Sequence, residues 1–178
     1  MEIIYGGNVA KKDTKRIGIA ATIGVLERII GEKANMINAQ SIAKGKGIQI
    51  KESKVEAANK YDDYVMVKLL SGTGSLTEVT GTVFAGTPRL VGINGYTVEM
   101  PIEGTLFISL YKDQPGIIGA VGKAFGDNKV NIGQMVVGRD QPNGKAMMVL
   151  STDHEVDAEL AKKVIGACGF EKAKFINL

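Results

Sequence analysis

The chain has 178 residues, enough for one large or two small domains, and its net charge of +3 is too dilute for a nucleic-acid-binding domain with concentrated Lys and Arg. One cysteine and one histidine exclude an internal disulfide framework and a Cys/His zinc site, and a lone thiol fits a reducing compartment. No run approaches ~18 consecutive apolar residues and the N-terminus lacks a basic-then-apolar signal, so the expectation is a cytoplasmic protein with neither membrane nor nucleic acid as partner.

EIIYGGNVA reads as a first strand, and Asp13 and Thr14 offer an N-cap to a helix through KRIGIAATIGVLERII. Ile19, Ile23, Leu26 and Ile30 form its apolar stripe. The small residues Gly18, Ala20, Ala21 and Gly24 predict a helix buried on more than one side. A short helix follows at 37–47, ended by Gly45 or Gly47, and IQIKES reads as a strand. YDDYVMVKLLSG and LTEVTGTVFAG are two more strands around a GTGS turn. PRLVGI and YTVEMP flank Asn94-Gly95, a dipeptide that tolerates positive φ at both central positions of a hairpin.

MPIEG, 100–104, breaks the strand pattern and marks the expected boundary between a domain over 1–100 and another over 104–178. Beyond it the order is a strand at 105–111, a helix at 115–127 and a strand at 130–137. A turn at 140–144, a strand at 145–151, a helix near 157–168 and a last strand KAKFIN complete a ferredoxin-like βαββαβ unit. The fold class is therefore α+β, an α/β domain followed by this unit. Leu106, Ile108 and Leu110 share one face of the first strand. The face carrying Phe107, Tyr111, Met135 and Val137 is expected to lie away from the helices, where it or a sheet edge meets a partner.

The segment from Leu110 to Asp140 is the most informative of the chain. Pro115 suits a first helical turn and Gly116 permits close approach of a ligand. Unpaired N–H groups at the helix start favour an anion. A carboxylate could rest there while Asp113 takes an ammonium group, or Asp113 could simply cap the helix. Asn131 needs a reason at a strand opening: its carboxamide suits both ends of an amino acid, or it is a turn residue after Lys129. These groups suit a small zwitterion and not bond-making chemistry. Gly72-Thr73-Gly74 lacks the GK[ST] of a phosphate loop and reads as a turn. His154 reads as a surface histidine and Cys168 as core packing. Lys44, Lys46, Lys51 and Arg89 are candidates for a basic pocket, and a solvated helix end is the plain alternative for KGKG.

These motifs carry a resemblance. Residues 104–178 resemble an ACT domain, the small-molecule sensor attached to many amino-acid-metabolism enzymes. VTGTVFAGTPRLVGINGYTVEMPIEG, KDQPGIIGAVG, VNIGQMVVGRD and AMMVLSTD are similar to the carboxy-terminal half of long-form D-3-phosphoglycerate dehydrogenases, and INAQSIAKGKGIQI resembles their intervening, or allosteric substrate-binding, domain. The resemblance implies ACT domains paired as a homodimer, or within a tetramer, with L-serine at the seam as feedback inhibitor. It implies effector contacts from Tyr111, Asp113, Gly116 and Ile117, with Asn131 contributed by the second subunit; some relatives carry His or Asn on the loop where this chain has Tyr and Asp. It also implies an anion site near Arg89, with Lys44 as a further candidate, although the second basic position of some relatives falls around Pro101 here.

The family's catalytic, NAD-binding domains have no counterpart in these residues. The expectation is thus a chain without cofactor of its own, non-catalytic by itself: either part of an NAD-dependent oxidoreductase or a stand-alone amino-acid-binding protein. The sensing portion of an L-serine dehydratase is a third reading.

Overall fold

The computed structural model describes residues 1–56 and 60–178. The chain forms two compact units, Met1–Gly86 and Thr87–Leu178.

In the first unit, β1 (Glu2–Gly7) is followed by a 3-10 turn (Asn8–Lys11), α1 (Lys15–Ile30), α2 (Ala39–Gly45), β2 (Lys51–Val55), β3 (Asp63–Leu70) and β4 (Leu76–Phe84). The strands lie in the order β2-β1-β3-β4, with β1 parallel to β2 and antiparallel to β3. A parallel pair needs a long crossover, and α1 and α2 supply it. Ile19 and Leu26 of α1 pack with Ala39 and Ala43 of α2, while Ile3 and Tyr5 are buried on β1. The expectation that α1 is buried on several sides does not hold, since Ala20 and Gly24 are exposed. Of its two glycines, Gly18 and Gly24, only Gly18 marks a close approach: a Cβ there would stand 2.7 Å from the Tyr5 hydroxyl, which donates to Glu52 Oε2 at 2.7 Å.

The second unit opens with a hairpin of β5 (Thr87–Ile93) and β6 (Tyr96–Pro101), turned by Asn94 (φ 49°) and Gly95 (φ 84°) as the dipeptide predicts. Then come β7 (Thr105–Lys112), α3 (Ile117–Asp127), β8 (Ile132–Arg139), β9 (Lys145–Thr152), α4 (Ala158–Ala167) and β10 (Lys172–Asn177). The sheet order β10-β7-β9-β8 is the ferredoxin-like arrangement. Asp157 caps α4, accepting from the N–H groups of Glu159 and Leu160.

One correction concerns how this unit packs. Phe107 and Tyr111 are not on the face away from the helices. They lie beneath them, with Ile117, Val121 and Phe125 of α3 and Val164 of α4, and Met135 and Val137 join the same core. Phe107 meets Phe125, Phe170 and Phe175 at ring-centroid distances of 5.7, 5.3 and 4.8 Å, a geometry aromatic pairs favour. The opposite face, with Leu106, Ile108, Leu110, Met147 and Val149, is covered by Leu90, Ile93, Val98 and Met100 of the hairpin. The hairpin, which lies within residues 1–100, therefore packs on the sheet of the second unit. Both faces of the four-stranded sheet are thus occupied, and β8 and β10 remain as its outer strands.

Candidate functional site

The site grows from the end of β7. Strand alternation sends Phe107, Ser109 and Tyr111 to the helix side, and all three are buried. After Lys112 the chain leaves the sheet, but it is tied down at once: the Asp113 N–H donates to the Gly144 carbonyl at 2.9 Å. That bond joins the loop before α3 to the turn between β8 and β9. The turn is itself braced by Asp140, whose Oδ1 accepts from the N–H groups of Gln141 and Lys145. Helix α3 starts at Ile117, two residues later than the sequence pattern suggests, because Gly116 takes the left-handed conformation (φ 94°) and serves as N-cap. Pro115 therefore precedes the cap and is not in the first turn.

Between these two loops lies a cleft of about 280 Å³ whose walls include Tyr111, Asp113, Gly116, Ile117 and Arg139. Four of the five sequence-expected effector positions thus meet in one place. A Cβ built on Gly116 would meet nothing within 4 Å, so the cleft is open on the glycine side. The first N–H groups of α3 have no intrahelical acceptors and open at the same point. The size suits a small polar molecule.

The alternatives for Asp113 are now separable. No side chain caps α3, so Asp113 is not a helix cap. Its Oδ2 instead lies 3.2 Å from Arg139 Nε, with the Asp113 side chain 14% exposed and that of Arg139 58%. Burial, and then the Asp113 charge, raise the Tyr111 phenol above its usual value, while Arg139 acts the other way. The phenol in this wall therefore stays neutral at physiological pH.

Asn131 does not reach the cleft of its own chain. It sits just before β8, exposed, with Nδ2 donating to Asp153 Oδ2 at 2.6 Å. Arg139 ends the same strand. Eight residues of strand separate the two, roughly 26 Å.

Arg139 is the residue that sequence reasoning missed. The signal lies in the sheet register, since Ala146 of β9 stands opposite both Tyr111 of β7 and Arg139 of β8. That brings Arg139 beside the loop after β7, which no local motif reports.

The other candidate residues are spread out. Lys44 borders a hollow with Gln40, Ile48, Ile50 and Glu52 in the first unit. The Glu52 carboxylate in that wall works against an anion. Arg89 belongs to the second unit and pairs with Glu99, Nε to Oε1 3.6 Å. His154 is exposed. Cys168 is buried, and burial raises its thiol pKa. Among the described residues no group of three His, Cys, Asp or Glu side chains could hold a metal ion, and no helix is long and apolar enough to cross a membrane.

Comparison with known proteins finds two family matches in sequence, the first of which runs into the β5–β6 hairpin. Residues 1–94 match the model of the D-3-phosphoglycerate dehydrogenase intervening domain, and residues 104–169 match that of the ACT domain. D-3-phosphoglycerate dehydrogenase of Archaeoglobus fulgidus is 33% identical over 180 residues, covering 100% of this chain and 34% of the relative. That of Methanocaldococcus jannaschii is 33% identical over 100% of this chain and 34% of the relative. That of Bacillus subtilis is 31% identical over 99% and 34%. The chain spans about a third of the length of these relatives. A ligand-free regulatory subunit of aspartate kinase from Thermus thermophilus aligns over 42% of this chain and 50% of its own, at 16% identity and a TM-score of 0.31, which is too slight a likeness to build on. With its intervening domain and ACT domain in sequence, the chain belongs to the D-3-phosphoglycerate dehydrogenase family, corresponding to the carboxy-terminal part of those enzymes.

Proposed function

We propose that this chain is the effector-sensing part of a D-3-phosphoglycerate dehydrogenase, and that its ACT domain binds L-serine at a seam between two copies for feedback control of serine synthesis. The observation that carries the reading is the cleft at the start of α3. It offers a carboxylate to an ammonium group, and helix-start amides to a carboxylate. A small amino acid has both groups, held a fixed short distance apart.

The position of Asn131 supports a seam. β8 is an outer strand, and an antiparallel two-fold pairing of two β8 strands centred on Met135 sets Asn131 of one copy opposite Arg139 of the other. The carboxamide that cannot reach its own cleft then arrives at its neighbour's. A site completed only when the seam is closed binds its ligand in one arrangement and not the other. Such a difference is what lets a ligand shift an equilibrium between two states.

The test is Asn131→Ala. The variant is expected to lose L-serine binding by calorimetry while sedimenting as the same dimer. An unchanged serine affinity would count against the seam site. The purified chain is expected to bind no NAD and to oxidise no 3-phosphoglycerate, and turnover above a protein-free blank would overturn that part.

A further inference from the structure

Arg139 and Asp113 are the two charged side chains in the wall of the cleft, and they face each other at 3.2 Å. We propose that this ion pair is the specificity element of the site: a free α-amino acid inserts into it, its ammonium on Asp113 and its carboxylate on Arg139. The inference rests on reading the cleft as an amino-acid site and adds the residue that holds the acid end.

Three features argue for it. The pair is joined at the Nε of Arg139, and a guanidinium carries two further nitrogens whose N–H groups can serve a second acceptor. A planar guanidinium matches a carboxylate with two parallel hydrogen bonds, which an ammonium cannot do. Asp113 is largely buried while Arg139 is more than half exposed. The carboxylate is therefore the fixed member, held through its backbone bond to Gly144, and the arginine is the member free to turn toward a ligand.

The exchange also explains selectivity by charge. In the empty cleft each charge is neutralised by the other. A ligand carrying only an ammonium group takes Asp113 and leaves Arg139 without its partner. A ligand carrying only a carboxylate does the reverse. A zwitterion repairs both losses, and this holds whichever small side chain it carries. The side chain is then read elsewhere, by the loop and by Asn131 of a second copy.

The experiment crosses two ligands with three proteins, read by calorimetry on the full chain: L-serine and serinol, in which the carboxylate is replaced by a hydroxymethyl group, against wild type, Arg139→Gln and Arg139→Lys. Arg139 is exposed, so both substitutions leave the core intact, and circular dichroism with sedimentation checks this. Wild type is expected to prefer L-serine over serinol. Arg139→Gln is expected to weaken L-serine on the order of 10- to 100-fold, the loss of a charge-assisted bond, while serinol binds no worse than before. Arg139→Lys keeps the charge without the fork and is expected to fall between. Equal weakening of both ligands by Arg139→Gln would overturn the proposal and leave Arg139 as a brace for Asp113. Unchanged L-serine affinity in Arg139→Gln would also overturn it, and would hand the carboxylate to the helix amides alone. Failure of wild type to bind L-serine or any other small amino acid tried beside it would overturn the reading of the cleft itself.

Discussion

Replacing Gly138 by alanine is expected to destabilise the second unit by about 2–3 kcal/mol, the upper part of the range for overpacking a tight interior. Gly138 lies near the end of β8, where β6 of the hairpin crosses it. A Cβ there would stand 2.4 Å from the Thr97 carbonyl oxygen, 3.2 Å from its carbonyl carbon and 3.4 Å from the Tyr96 Cβ. The closest of these is about 1 Å inside ordinary contact. It is a backbone atom, so no side-chain rotation relieves it, and β6 must move away from the sheet. That movement would loosen Val98 and Met100, both fully buried in the core beneath the hairpin. Gly133 on the same strand is the control: its added Cβ would meet Ser151 Oγ at 3.2 Å and Asp153 Oδ1 at 3.3 Å, ends of side chains that can turn aside. Urea unfolding followed by circular dichroism, fitted with an intermediate if the two units unfold separately, gives both values. Gly138→Ala within 0.5 kcal/mol of wild type, on the order of an ordinary surface change, would refute the close approach of β6 to β8.

The remaining tests are simpler. Burial first, and then the hydrogen bond to Glu52 and its charge, raise the Tyr5 phenol above its ordinary value. A raised acid is held neutral by the fold. Its stabilisation is complete below the unfolded pKa of about 10 and is lost as pH climbs past it. The alkaline decline in stability is accordingly expected to be shallower in Tyr5→Phe, and an identical decline would contradict the burial of that hydroxyl. Asp157→Ala removes the two-bond cap of α4 and is expected to cost about 1 kcal/mol in the same urea experiment; no loss would mean the cap is not formed in solution. Cys168, buried with its thiol pKa raised, is expected to react with a thiol reagent only as the chain unfolds. Rapid labelling of the native protein would place it outside the core.

The elements were legible in the sequence wherever local chemistry decides them. Asn94-Gly95 turned the hairpin, and the alternation of β7 and the spacing of Ile117, Val121 and Phe125 marked strand and helix. The choice of face was not legible. β7 is apolar on both sides, with Leu106 and Ile108 on one and Phe107 and Tyr111 on the other, so periodicity alone could not say which side the helices cover. Nor was it legible that the β5–β6 hairpin covers the other face, because that face combines Leu106 and Ile108 of the next strand with Met147 and Val149 of β9, distant in sequence. At the candidate site, Tyr111, Asp113, Gly116 and Ile117 are neighbours along the chain and could be read together. Arg139 comes to Asp113 through the register of β8 on β9 and of β9 on β7, and no local pattern encodes that.

The central claim is that this chain senses L-serine, and titration calorimetry of the purified chain tests it most directly, with glycine and L-alanine as controls. The account predicts serine-selective heat saturating at about one or fewer ligands per chain, since each seam pairs two clefts with two copies of Asn131. No heat with L-serine from a chain that sediments as a dimer would contradict it.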